Sequence, residues 1–258
     1  MVFFTRHFTR VEDLPDLTGK VALVTGGNAN LGLYTIQHLA RKGATVYMGA
    51  RDEDRAKEAI DLLQSEGLGP GNGEVRWLDL DLGDPLKTRK AGEEFLKLES
   101  RLDILDAKFE SRDDFNRQFD EMWSPALARY ALSKFCNVLF TNELQRQFDE
   151  ESVPIIVMAI NPGGIDTDRT RTLFRDSNIL IRAIYYVVIR SFHKAPTAAK
   201  TIAFIAASPE VRSKDGIYRG AYLEPPGVLS KSSKVAQDLG LAKQLWVLTE
   251  EVVKTVEV

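Results

Sequence analysis

The chain has 258 residues, 44% of them hydrophobic, which is enough apolar material for one large core. Its 34 basic and 37 acidic residues give a formal net charge of −3. The chain therefore has no excess of positive charge that would favour binding to nucleic acid. A single cysteine excludes an intrachain disulfide framework and fits a reducing, cytoplasmic compartment. No apolar run approaches the length of a membrane span, and the three histidines show no metal-ligand spacing, so no metal site is expected.

The first eighty residues alternate between strand and helix patterns. Lys20–Thr25 is short, apolar and followed by glycine, which predicts a buried parallel strand. Apolar residues at helical spacing then predict a helix over Leu33–Lys42. Further strands are predicted over Ala44–Met48 and Glu74–Leu80, with a helix over Asp52–Glu66 between them. This order predicts an α/β fold of the Rossmann type, a doubly wound parallel sheet with right-handed crossovers.

The glycine-rich turn between the first strand and the first helix is suited to bind an anion. A helix N-terminus offers unpaired N–H groups and a partial positive charge, and glycine lets the backbone approach a pyrophosphate closely. In this strand–turn–helix context a dinucleotide site is the favoured interpretation, and a plain turn is the alternative.

Two side chains beyond the strand ends bear on which nucleotide would bind. Arg51 follows the second strand, where the adenosine ribose lies in this fold; an arginine suits a 2′-phosphate and an acid would suit a 2′-hydroxyl. No acid ends that strand, which favours NADP over NAD, although a solvated surface arginine is the alternative. Asp81, after the third strand, is a candidate partner for an adenine amino group. Its alternative role is to cap the next helix, which Asp84 also fits.

The second half of the chain carries a candidate proton-transfer pair. The pattern predicts one long helix over Ala126–Phe148, on which Tyr130 and Lys134 are four residues apart and share a face. An ammonium beside a phenol stabilises the phenolate, and a phenol tuned in this way can exchange a proton with a carbonyl oxygen. An exposed helix pair without a catalytic role is the alternative. A strand predicted over Ile155–Ile160 leads into Asn161–Thr167, at the edge where α/β sheets bind ligands.

Three ordered motifs resemble the short-chain dehydrogenase/reductase family. They are Thr25-Gly26 with Gly32, then Tyr130 with Lys134, then Pro162-Gly163. Residues 128–144 and 218–225 are similar to fungal retinol-dehydrogenase-like members, and the resemblance runs from Leu17 to the C-terminus. It implies a single NAD(P)-binding domain over residues 1–258, with an N-terminal arm over 1–16.

The resemblance also implies roles for individual residues. Tyr130 would donate or accept the proton, and Lys134 would assist it and hold the nicotinamide ribose. The residues that would line the cofactor are Gly26, Asn28, Leu31 and Gly32 at the diphosphate and adenosine, with Ile165 and Thr167 at the nicotinamide. Asn30 stands where the family usually has glycine. Asparagine tolerates a left-handed backbone, so the turn can form, but its side chain is placed to crowd the phosphate.

The largest departure from the family lies between Leu105 and Tyr130, which only 24 residues separate. The family has a strand–helix–strand crossover here that carries a catalytic asparagine and a catalytic serine, and such a unit takes roughly 30 residues or more. The sequence therefore predicts a sheet without its central fifth strand. Either the sixth strand pairs with the fourth, or two strand edges stay open. The nearby serines follow no strand pattern: Ser111, Ser124 and Ser133. The short gap has three explanations: a truncated gene model, an inactive relative of the family, or a rearranged enzyme.

Residues 178–195 form an apolar segment at the position of the family's substrate-covering segment. This segment has three interpretations. It could cover an apolar small-molecule substrate, contact a membrane surface, or form a core helix at the interface of a homo-oligomer. The resemblance implies an NADP-dependent oxidoreductase that transfers a hydride between nicotinamide and a carbonyl or secondary alcohol, with a role in fungal secondary metabolism. The alternative is a catalytically impaired relative that binds a nucleotide or a partner.

Overall fold

The structure is a computed structural model that describes residues 14–106, 125–166, 189, 192–224 and 227–256. Its main sheet has four parallel strands in the order β3-β2-β1-β4. The strands are β1 Val21–Thr25, β2 Thr45–Ala50, β3 Val75–Asp79 and β4 Ile104–Asp106. Three helices connect them: α1 Asn30–Ala40, α2 Glu53–Glu66 and α3 Pro85–Leu98. The Rossmann-type α/β prediction is therefore confirmed.

The ends of the connecting helices follow local sequence signals. The Asp52 carboxylate accepts a hydrogen bond from the Arg55 N–H and caps α2. The Asp84 carboxylate accepts from the N–H groups of Leu86 and Lys87 and caps α3, with proline in the first turn. Asp84 therefore takes the capping role that the sequence left open between it and Asp81.

The second half of the chain begins with the long helix α4, Pro125–Glu150. The strands that follow are β5 Ala159–Ile160, β6 Ile165–Asp166, β7 His193–Lys194, β8 Tyr222–Glu224 and β9 Val228–Ser230. The helices are α5 Ala195–Ala207, α6 Pro209–Ser213, α7 Asp215–Tyr218 and α8 Leu239–Val256. Helix α5 packs against α1, and α8 packs against α4, where the Phe140 and Trp246 rings stack with centroids 5.0 Å apart.

The sheet divides after β4. Strand β5 pairs with β8, and β8 with β9, in a separate three-stranded sheet, while β6 pairs with β7. Among the described residues β4 pairs with one strand, β1, and β5 pairs with one strand, β8, so the sixth predicted strand does not pair with the fourth. The two faces of β4 differ, since Leu105 is 57% exposed whereas its neighbour Ile104 is 7% exposed.

The predicted strand over Ile155–Ile160 is too long, because only its last two residues are assigned as strand. Ladder pairing requires a neighbouring strand, and β8 supplies register partners only for Ala159 and Ile160. Before them, the Val157 N–H donates to the side-chain amide oxygen of Gln145, 2.6 Å away on α4. A side chain therefore replaces strand pairing at this end.

The main core lies between the sheet, α1 and α5. Its fully buried members include Val24, Ile36, Leu39, Val46 and Met48. Strands β1 and β2 read as continuous apolar runs because helices cover both faces of the sheet. No helix within the described residues is both long and apolar enough to cross a membrane.

Candidate functional site

The turn between β1 and α1 has the geometry that anion binding requires. Gly26 is exposed, has a φ of 60°, and a Cβ placed on it would meet nothing within 4 Å. Space above this backbone is therefore open to a ligand. A Cβ on Gly32 would lie 2.5 Å from the Gly26 carbonyl oxygen, so glycine is needed for α1 to pack this closely on the turn.

Helix α1 presents an uncapped N-terminus at this turn. Its N-cap residue is Ala29, which makes no side-chain capping bond, and its first turn contains no acidic residue. Asn30 opens the helix with a φ of 46°, which confirms that asparagine supports the left-handed turn. Asn28 is half-buried beside it. The partial positive charge of the helix end is therefore not offset by a local acid.

Gly27 is a turn residue whose role the sequence reasoning missed. A Cβ on Gly27 would lie 2.6 Å from Cδ1 of Ile36 and 2.9 Å from Cγ of Met48. A larger residue would therefore push α1 and β2 away from the turn. The signal that could have identified it is the second of two adjacent glycines directly after a buried strand.

The structure brings the turn close to the loop after β5. Leu31 of α1 and Ile165 of β6 join one apolar cluster on α5, whose other members include Ala198, Ala199 and Ile202. In the same loop, the Gly163 N–H donates to the Asn161 side-chain oxygen over 3.0 Å. Leu31 and Ile165, which are 134 positions apart in the sequence, therefore pack on the same helix. Both are predicted to line the cofactor. Thr167 lies outside the described residues.

Arg51 and Asp81 lie at the carboxyl edge of the main sheet, where β1, β2 and β3 end in register. Arg51 is exposed, between the end of β2 and the N-cap of α2. The Asp81 carboxylate accepts a hydrogen bond from the Gly83 N–H at 3.0 Å and so closes a turn after β3. Both residues thus lie at the same edge of the sheet as the open glycine turn.

Tyr130 and Lys134 share a face of α4 as predicted. The Lys134 Nζ lies 5.5 Å from the centroid of the Tyr130 ring, within the range of a cation–π contact. Tyr130 is 56% exposed as a residue, so it is open to solvent on this face of α4. Ser133 on the same helix donates its hydroxyl to the Tyr130 carbonyl oxygen at 2.8 Å. Ser111 and Ser124 lie outside the described residues.

The family model for short chain dehydrogenase matches residues 20–107. A short-chain dehydrogenase/reductase of Armillaria gallica is 32% identical to the chain over an alignment that covers 93% of this chain and 95% of that protein. The chain belongs to the short-chain dehydrogenase/reductase family.

Relatives outside the fungi have similar coverage. Retinol dehydrogenase 14 of Homo sapiens is 29% identical over 91% of this chain and 86% of its own length. Among solved structures, L-sorbose reductase from Gluconobacter frateurii, complexed with NADPH and L-sorbose, superimposes with a TM-score of 0.62 at 20% identity. That alignment covers 84% of this chain and 100% of the reductase, and it shows the shared fold.

Two features of these comparisons concern the short gap before Tyr130. The alignment with the Armillaria gallica member of the family spans 307 positions, more than the 258 residues of this chain, so that relative contains residues without a counterpart here. The match to the family model ends at residue 107, directly after β4. Both facts are compatible with a missing crossover at this place, which stays a prediction. Within the described part of the chain, no cluster of His, Cys, Asp or Glu could hold a metal ion.

Proposed function

We propose that this member of the family is an NADP-dependent oxidoreductase that interconverts a carbonyl group and a secondary alcohol on an apolar small molecule. The observation that carries the proposal is the open glycine turn at the uncapped start of α1. The proposal extends to fungal secondary metabolism through the resemblance to fungal members.

The residues at the turn fit a dinucleotide. The unobstructed backbone at Gly26 and the first-turn N–H groups of α1 would hold the diphosphate. Arg51 would pair with a 2′-phosphate, and Asp81 would accept a hydrogen bond from the adenine amino group. Asn28, Leu31 and Gly32 would line the diphosphate and adenosine, and Ile165 and Thr167 the nicotinamide. When bound, the nicotinamide supplies the hydride chemistry.

The chain's own residues would handle the proton. In the direction of reduction, the Tyr130 hydroxyl donates a proton to the substrate oxygen as that oxygen gains negative charge. The positive charge of Lys134, 5.5 Å from the ring centroid, stabilises the phenolate that remains. In the direction of oxidation the phenolate accepts the proton from the alcohol. Exposure of the Tyr130 side chain supports this role, because the hydroxyl must reach a substrate.

A second candidate, a nucleotide-binding relative with impaired catalysis, has its own support. Two observations support it: among the described residues β4 pairs only with β1 and β5 only with β8, and the Ser133 hydroxyl donates to the helix backbone. Such a chain would bind the dinucleotide and turn over weakly. Binding and turnover therefore have to be measured separately.

The deciding experiment titrates the full chain with NADPH and with NADH and follows nicotinamide fluorescence. We expect tighter binding of NADPH. We also expect Arg51→Ala to weaken NADPH binding by roughly 10- to 100-fold, as for the loss of a charged hydrogen bond worth about 1.5–3 kcal/mol. NADH binding should be nearly unchanged in this variant.

Arg55→Ala is the matched control, because Arg55 is another exposed arginine at the start of α2, 75% exposed in its side chain. It should alter neither affinity. Equal affinity of the unmodified chain for the two cofactors would remove the role of Arg51, and binding of neither would contradict the proposed cofactor site.

A further inference from the structure

A buried histidine joins the nucleotide-binding helix to its support. His38 lies in the last turn of α1 and is 3% exposed. Its Nε2 is 3.2 Å from the backbone carbonyl oxygen of Pro196 in the first turn of α5. A carbonyl oxygen can only accept, so Nε2 must carry the hydrogen and Nδ1 is left with a bare lone pair. Nδ1 is buried and has no hydrogen-bond partner among the described residues.

Two basic groups among the described residues act on this ring. Lys200 lies one turn after Pro196 on α5, and Arg41 follows the end of α1. On α2, the third element at this end, Glu66 accepts a hydrogen bond from Gln37, the neighbour of His38. Burial lowers the pKa of His38 below its ordinary value of 6.5; the bond to Pro196 opposes this, and the charges of Lys200 and Arg41 add to it.

The same interface supports the glycine turn. Leu31, in the first turn of α1, packs on Ala198, Ala199 and Ile202 of α5, and His38 contacts α5 two turns later. The two ends of α1 therefore rest on one helix. A change that separates α1 from α5 at His38 also weakens the support of the turn, because a helix moves as a rigid element.

We propose that protonation of His38 in mildly acidic solution opens the contact between α1 and α5 and thereby loosens the nucleotide-binding turn. The imidazolium would place a charge in a buried interface beside two basic side chains. Its new Nδ1 hydrogen would have no acceptor among the described residues, and both effects disfavour the closed interface. The effect on the turn rests on the proposed cofactor site, whereas the opening of the interface does not.

The sign of the pH dependence follows from linkage. A histidine whose pKa is lowered in the closed state binds its proton more tightly in the open state. The closed interface is fully stabilised above about pH 6.5 and loses stability as the pH falls below that value. While the closed state remains unprotonated, the closing equilibrium falls by up to tenfold per pH unit.

The test measures urea unfolding and amide hydrogen exchange of α1 between pH 8 and 5.5, a range in which few carboxylates titrate. The variants are His38→Gln, which keeps a donor for the Pro196 carbonyl but cannot become charged, and His193→Gln, an exposed histidine, as control. We expect the unmodified chain and His193→Gln to lose stability and α1 protection as the pH falls, and His38→Gln to lose much less. NADP⁺ should bind the unmodified chain more weakly at pH 5.5 than at pH 8.

Equal pH dependence in His38→Gln and the unmodified chain would overturn the proposal. If His38→Gln does not fold, NMR titration of the unmodified chain decides, with the His38 ring signal identified as the one that survives in both His7→Gln and His193→Gln. Protonation of that ring at or above pH 6.5 in the folded chain would also overturn the proposal. Failure of NADP⁺ to bind at pH 8 would contradict the proposed function alone, because the stability and exchange measurements do not depend on it.

Discussion

Tyr130 combines an accessible hydroxyl with a neighbouring cation, and neither is built into the core. Tyr130 is 56% exposed, and the Lys134 ammonium lies 5.5 Å from the centroid of its ring. Chemistry and stability can therefore be separated at this residue, since a substitution on an exposed helix face changes the free energy of unfolding by about 0.5 kcal/mol or less.

We predict that Tyr130→Phe lowers the turnover of an apolar ketone roughly 100-fold or more, because it removes the only transferable proton of that ring. Melting temperature and NADPH affinity should stay unchanged. Steady-state NADPH oxidation measures the first effect, and calorimetry and fluorescence titration the others. Tyr222→Phe, on β8, serves as control. A variant that retains most of its activity would contradict the assigned proton donor.

Asp103 shows the opposite case, a charged residue held in place by the fold. Its carboxylate accepts hydrogen bonds from the Val21 N–H at 3.0 Å, from Lys20 at 3.3 Å and from Arg101 at 2.7 Å. Burial by itself raises the pKa of Asp103, but the bonds from Arg101, Val21 and Lys20 outweigh it and lower the pKa to about 2, from an ordinary value of 3.8. Asp103 thus ties the approach to β4 to the first residue of β1.

We predict that this carboxylate contributes stability in full above about pH 3.8 and loses that contribution as the pH falls towards 2, because its pKa is lower in the folded chain than in the unfolded one. Asp103→Ala should cost about 1–3 kcal/mol at neutral pH, since the Val21 N–H loses its acceptor. Asp61→Ala, at an exposed position of α2, should cost much less. Urea unfolding at pH 7 and at pH 3 measures the free energy of unfolding of both variants. Equal losses of stability in Asp103→Ala and Asp61→Ala at pH 7 would refute the structural role of Asp103.

Among the described secondary-structure elements, β4 is an edge strand of the main sheet, and its side chains allow the coverage of that edge strand to be measured. It is three residues long and pairs through Ile104, Leu105 and Asp106 with β1. Its two leucine-sized side chains have different surroundings: Ile104 belongs to the main core, and Leu105 faces solvent to 57%. A central strand covered on both faces would bury both.

We predict that Ile104→Ala costs about 2–5 kcal/mol, as for the removal of a buried aliphatic side chain. Leu105→Ala should cost no more than about 0.5 kcal/mol, because its side chain already contacts water. Chemical unfolding of the two variants provides the comparison. A large loss in Leu105→Ala would show that this face of β4 is covered in solution and would contradict the prediction.

Helix α8 provides much of the packing for α4 among the described elements. It packs along α4 through the Phe140–Trp246 stack and also contacts α3. The helix that carries Tyr130 therefore depends on the C-terminal part of the chain for its position, and its connection to the main sheet passes through few described contacts.

For the whole molecule, we predict that a crossover segment inserted between Leu105 and Asp106, taken from the Armillaria gallica relative, raises both the melting temperature and the turnover. A paired strand would close the edges of β4 and β5, and an oriented hydroxyl donor at a reacting carbonyl is typically worth on the order of 100-fold in rate. Calorimetry and NADPH oxidation compare the two chains.

An insertion of equal length rich in glycine and serine is the control, and it should raise neither quantity, because it supplies chain length without a strand. If the 258-residue chain melts cooperatively at an ordinary temperature and turns over as fast as the lengthened one, the divided sheet is sufficient for folding and for activity, and the prediction is wrong.

Local sequence patterns were enough to predict several features of this protein. Some features follow from residue type and short spacing, which act within one or two turns of the chain. They are the strand–turn–helix unit around Gly26 and Gly32, the cap of α3, and the shared face of Tyr130 and Lys134. The predicted α/β order was confirmed for the same reason. Helix α1 nevertheless begins at Asn30, three residues before the predicted start.

The way in which these elements pack together could not be predicted from local patterns and was found in the folded structure. The fold paired β5 with β8 instead of β4, placed Leu31 and Ile165 on one helix, and enclosed His38 between α1 and α5. Such contacts join positions far apart in the chain, and the apolar pattern that predicts a strand does not name its neighbour. Which edges pair and which side chains are buried is set by the competition among all elements for one core, and no local stretch of sequence contains that competition.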